Sequence, residues 1–254
     1  MKYHNKNLKL FTSIIVVTLV VTGVMISQAC RKNNDQSLQQ VKELKIKDIS
    51  KYHNSILTSF YDDSNAKVVW NYAKVIAYFE DYLINEGFDS IEIKQAVNEI
   101  NRVNESGIFG HNFDLIINND NQNHVINLVE SFLQNNSCVS TKFRNTVKQT
   151  LQYCNNHYND EILSYVDNVF KTNQWDSEDH KFVDTYVDVM FNSYIFWNNF
   201  NNDNSDKSLK DYSEYINDAV GSILGLPFGP VGSILFGTLL SCATKAQNEG
   251  HAWL

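Results

Sequence analysis

The chain has 254 residues, 43% hydrophobic and 20% charged, with a formal net charge of −8. This acidic balance excludes a nucleic-acid binder, whose phosphate partner demands a basic face, and simple electrostatic docking on anionic lipid. The apolar and aromatic content excludes a disordered chain, and the length suits one domain with at most a small appendage.

The N-terminus reads as an export signal. Lys2, Lys6 and Lys9 form a basic head without an acid, and an apolar run follows from Leu10 to Ile26. The small residues Ser27 and Ala29 stand just before Cys30. These are the three parts of a secretory signal, with the basic end held on the cytoplasmic side. Ser27-Gln28-Ala29-Cys30 resembles a lipobox, in which the Cys is acylated and the chain then cut before it. Ser27 stands where lipoboxes usually carry an apolar residue, which leaves the cleaving peptidase open. An uncleaved anchor and simple secretion are the alternatives, since the run is near the lower limit for a spanning helix. Cleavage would remove three lysines and no acid, taking the net charge from −8 to −11.

Arg31 to Gln36 is polar and reads as a tether. A charged stretch just after the Cys also resembles the surface-export signals of some Gram-negative lipoproteins. The outer and periplasmic faces both stay open. Several acyl chains on Cys30 would give stable membrane attachment.

Helical spacing dominates the rest, and strand signals are nearly absent. A first helix is predicted from about Ile46 to Tyr61, with Ile49, Tyr52, Ile56 and Phe60 on one face. A second opens at Ser64 and runs to about Glu86, with Val68, Val69, Tyr72, Ile76, Phe79 and Leu83 along it and Gly87 to end it. Asp89 or Ser90 caps a third, to about Asn104. The stretch from Ser106 to Asn123 reads as a loop with one short helical turn near Phe113 to Ile117. Helices follow at about 122–134, 141–154, 159–172 and 178–200, then a polar loop from Asn198 to Lys207. The fold class is all-α, an array of about nine helices without a repeat signature.

Residues 219–243 carry no charge, five of the ten glycines and both prolines. Val220-Gly221-Ser222-Ile223-Leu224 recurs eleven residues later as Val231-Gly232-Ser233-Ile234-Leu235. Gly221, Gly225 and Gly229 sit four apart, a spacing that lets helices approach closely, and Gly232 and Gly237 extend the small-residue surface. Pro227 and Pro230 argue for a break, hence two helices at about 209–225 and 231–247. Each apolar half is too short to span a bilayer alone. Three roles fit: a buried core hairpin, a membrane-inserting element, or an exposed interface for a partner. The stretch 219–237 resembles the glycine-zipper segments of bacteriocins, which implies helix packing in membranes.

Chemistry has little support. The histidines are scattered, and HExxH, GxSxG and phosphate-loop patterns are absent. Glu178-Asp179-His180 groups three ligand types, but acids at a helix start are favoured by the dipole alone. Asn202, Asn204 and Asp206 alternate like the opening of a calcium loop, yet Lys207 and Ser213 stand where its glycine and bidentate acid belong. Asp62-Asp63 and Glu80-Asp81 read as solvated faces, and His53-Asn54 and Trp70 as core or surface residues. Cys138 and Cys154 bracket a helix that would hold them roughly 20 Å apart, too far for a disulfide. Buried free thiols are the reading for Cys138, Cys154 and Cys242, with a bond from Cys242 to either one still open.

The organisation is then a signal at 1–29, a lipid-anchored tether at 30–45, a helical domain at 46–208 and a Gly/Pro-rich hairpin at 209–254. The whole resembles uncharacterised all-helical bacterial lipoproteins. That resemblance implies a cell-envelope protein, in the outer membrane on its periplasmic or surface face. It implies no activity. The expected function is a noncatalytic interaction or scaffold module without cofactor or metal, held to the membrane by lipid and meeting an envelope protein partner. A membrane-active, bacteriocin-like protein is the alternative.

Overall fold

The computed structural model describes residues 45–63, 71–107, 122–135, 139–154, 157, 159–203 and 212–249. The signal, Cys30, the tether, Trp70, Cys138, and the calcium-like Asn204 and Asp206 lie outside them. So does the turn expected near Phe113 to Ile117.

The described residues are helical, without a strand. A 3-10 turn at Ile46–Asp48 leads into α1 (Ile49–Asp62), followed by α2 (Tyr72–Asn85), α3 (Ser90–Glu105), α4 (Gln122–Gln134) and α5 (Thr141–Cys154). Next come α6 (Asn159–Thr172), α7 (Ser177–Asp203), α8 (Tyr212–Gly225) and α9 (Gly229–Asn248). A 3-10 turn at Leu226–Phe228 separates the last two.

Local chemistry accounts for the ends. The Asp89 carboxylate accepts from the Ile91 amide at 2.9 Å and caps α3. Gly87 has φ 88, and the Phe88 amide bonds back to the Leu83 carbonyl at 3.1 Å, closing α2 as the glycine predicts. Two expectations need correction. α2 starts at Tyr72 rather than Ser64, because the extended Asn71 caps it, accepting from the Lys74 amide at 3.3 Å. Ser64, Val68 and Val69 lie outside the described residues. The loop expected from Asn198 is helix as far as Asp203. Phe200 holds that turn down, packing on Tyr61 and Trp197 at ring distances of 5.0 and 5.5 Å.

The centre of the molecule is the hairpin α8–α9. Every residue from Glu214 to Ala246 is buried except the turn residues Phe228, Gly229 and Pro230, which are half-buried. α1, α2 and α3 pack on α9, while α7 and α4 pack on α8. α5 and α6 bridge from α4 to α7 on the outside. The outer helices are amphipathic and turn one apolar face inward, such as Ile49, Tyr52, Ile56 and Phe60 of α1. The hairpin has no polar face because it is surrounded. Full burial of each large apolar side chain here contributes about 1.5–3 kcal/mol. The hairpin from Glu214 to Ala246 is therefore the core against which the other described helices pack.

Candidate functional site

The two hairpin helices touch backbone to backbone. A methyl group on Gly221 would sit 2.6 Å from the Phe236 carbonyl oxygen, and one on Gly225 only 2.1 Å from that of Gly232. One on Gly232 would meet the Gly225 oxygen and Phe228 Cβ, each at 2.7 Å. One on Gly237 would meet Ser222 Oγ at 2.5 Å and His53 Cδ2 at 2.9 Å. The two copies of the Val-Gly-Ser-Ile-Leu repeat face each other across this seam, and Ser233 Oγ donates to the Ser222 carbonyl at 2.7 Å. Four of the five glycines thus meet a partner helix, and that helix belongs to the same chain. Gly229 departs from the expected spacing role. Its φ of 86 makes the turn, and its α-carbon faces the Glu92 carboxylate.

Polar side chains lie along the hairpin inside the core. Asp218 of α8, His53 of α1 and Trp197 of α7 are all essentially sealed from solvent. The Trp197 indole donates to Asp218 Oδ2 at 2.9 Å, and His53 Nε2 stands 3.8 Å from the same oxygen. The other ring nitrogen, His53 Nδ1, is 2.9 Å from Asn54 Oδ1. The Asn54 amide nitrogen donates to the Asn192 carbonyl at 3.1 Å, which turns its oxygen toward the ring. His53 Nδ1 is therefore a donor, while Nε2 is buried beside the Asp218 carboxyl without a hydrogen bond to it. Burial raises the Asp218 carboxyl above its ordinary value, while His53, Ser241, Trp197 and Ser193 pull it down.

Further contacts tie the hairpin together. Asn217 donates to Thr244 Oγ1 at 2.9 Å, and Asn248 to Glu214 at 2.8 Å. Lys245 Nζ lies over the Trp197 and Phe200 rings at 5.7 and 5.8 Å. The Tyr61 hydroxyl meets Cys242 Sγ at 3.9 Å. Ser193, Ser222 and Ser241 sit in the same region with no exposure. A substrate does not reach this cluster from solvent, and what the cluster does is fix four helices to one another.

The sequence's other candidates separate. Asp179 is buried and accepts from the Ser140 amide at 3.0 Å and from the Ser140 hydroxyl, which fixes the start of α5. His180 on the same turn is exposed. Among the described residues no three metal-ligating side chains gather. Cys154 and Cys242 are free and buried, so the bond left open between them is absent. Burial pushes the Cys154 thiol up to about 12 and raises Cys242 further, which leaves both unreactive at neutral pH.

Sequence reasoning missed the His53–Asp218 pair. One signal was present, since His53 falls four residues after Ile49 and three before Ile56, on the apolar face of α1. Its partner lies far along the chain and leaves no local trace. Compared with known proteins, the chain matches no family model, no curated protein and no solved structure.

Proposed function

We propose that the chain is a lipid-anchored protein of the bacterial cell envelope whose helical body is a noncatalytic interaction module. The single observation behind this reading is the destination of the glycine-rich segment. Its apolar surface is spent on the chain's own core, which leaves the amphipathic outer helices to meet the surroundings. The basic head, apolar run and Cys30 supply the address. Cys30→Ala is the direct test. The native protein should take up labelled palmitate and sediment with membranes, whereas the variant should lose the label and become soluble. A variant that loses the label but still sediments would favour the uncleaved anchor.

One observation favours the membrane-active reading. Glu214–Asn248 is apolar and long enough to cross a bilayer, although 83% of its most apolar stretch is buried. A chain beginning at Arg31, mixed with dye-loaded vesicles, separates the two. The interaction module stays in solution and the vesicles stay sealed. Flotation with the vesicles together with dye release would replace this reading with the membrane-active one.

A further inference from the structure

α7 has a second stripe, turned away from the hairpin. His180, Val183, Asp184, Val187, Asp188 and Phe191 follow one another at helical spacing along it. The last turn of α6 brings Asp167, Phe170 and Lys171 alongside, and the connecting loop adds Trp175. Ile46 and Lys47, in the turn before α1, close one side. These residues enclose an open groove of about 680 Å³, within the range of small-molecule sites.

Its wall is rigid before any ligand arrives. Phe170 and Trp175 are stacked at 5.5 Å with an interplanar angle of 24°, and the Trp175 indole donates to the Phe170 carbonyl at 2.8 Å. Val183, Val187 and Phe191 form an apolar floor. The charges are less evenly matched. Lys171 is paired with Asp167 at 2.7 Å, which removes both from the reckoning. Asp184 and Asp188 remain, one helical turn apart, and Lys47 is the only other cationic side chain in the lining apart from His180. With His180 neutral, the groove keeps one negative charge. Among the described residues neither Asp184 nor Asp188 forms an ion pair. Asp188 is half-buried and held in place by Asn192, which donates to it at 3.0 Å. Burial raises the Asp188 carboxyl, hydrogen bonds from Ser50 and Asn192 pull it back, and the neighbouring Asp184 adds a smaller upward push.

We propose that this groove binds a small organic monocation, a primary ammonium carried on an apolar, preferably aromatic, body. The ammonium lies against the exposed Asp184 carboxylate, on its Asp188 side, where it makes charge-assisted hydrogen bonds. The apolar body covers Val187 and Phe191 and meets the Trp175 wall. The single unbalanced charge and the nearby Lys47 select a monocation over a polyamine. This inference stands independently of the anchor and of the interaction reading.

The test is calorimetric titration of the full chain with three probes of one shape: 4-phenylbutylamine, the neutral 4-phenylbutanol and the anionic 4-phenylbutyrate. The amine should bind at one site per chain, and at least about tenfold more tightly than the alcohol. The carboxylate should give no saturable heat. Asp188→Asn and Asp184→Asn should each weaken the amine by about fivefold or more. Should Asp188→Asn fail to fold, the exposed Asp184 carries the test alone. Equal affinity for amine and alcohol overturns the proposal. So does amine binding that Asp184→Asn leaves unchanged, or the absence of amine binding at millimolar concentration.

Discussion

Gly225→Ala is expected to lower the melting temperature by roughly 6–12 °C, the counterpart of about 3 kcal/mol or more in a domain of this size. The added methyl group would sit 2.1 Å from the Gly232 carbonyl oxygen and 2.8 Å from the Ser233 α-carbon. Those atoms are backbone, so no side-chain rotamer relieves the clash and α8 and α9 must separate. Separation loosens the whole seam, including the Ser233 hydroxyl bond to Ser222. Gly225→Leu and Gly221→Leu should be worse, with Gly225→Leu failing to fold. Gly107→Ala is the control. Its φ of 66 strains any side chain, but nothing lies within 4 Å of the added carbon. It should cost only about 1–2 kcal/mol. Thermal melts that rank Gly225→Ala no worse than Gly107→Ala would show that the seam is not tightly closed.

His53→Ala should be the most damaging single change outside the hairpin, at about 3–5 kcal/mol, because it empties a sealed ring site and removes the neighbour that offsets the burial of Asp218. Asp218→Asn should cost much less, since an amide oxygen can still accept from Trp197. Adding Asp218→Asn to His53→Ala should recover stability relative to His53→Ala alone. Denaturant unfolding of both single variants and the double variant measures that coupling. Simply additive losses would mean that the two residues act independently. The same site sets a pH dependence. A carboxyl raised in the folded chain holds its proton more tightly there than in the unfolded chain. Stability is then greatest below the ordinary carboxyl range and falls as pH rises through the raised values. Glu92 and Asp188 are raised too, both by burial first. The melting temperature should decline as pH rises above the ordinary carboxyl range of about 4, and Asp218→Asn should flatten the decline. A melting temperature that climbs over this range would sink the assignment.

The helices were legible because their apolar residues repeat at helical spacing and their ends carry cap chemistry. α4, α5 and α6 begin and end where that pattern places them. The helix–turn–helix form of the hairpin was also legible, since two prolines and a glycine in four residues leave few alternatives. Two features were hidden for physical reasons. Asn198 to Asp203 is polar enough to read as loop, but Phe200 finds its aromatic partners on α1, which periodicity within α7 does not report. The polar cluster depends on contacts such as His53 with Asp218 and Asn54 with Asn192, each made between residues far apart in the chain. The eleven-residue repeat was visible, yet a single straight helix would put both copies on one face. The turn at Leu226–Phe228 sets them opposite each other instead.

The position of the core in the chain sets the order in which the molecule can be made. Tyr61 near the end of α1 and Cys242 in α9 meet across the centre although 181 residues separate them. The innermost helix thus leaves the ribosome only after α1 to α7. Until it does, the faces of α1, α2, α3 and α7 that close on the hairpin stay open, and an interrupted chain leaves them to chaperones and proteases. The body locks only when this hairpin slides in.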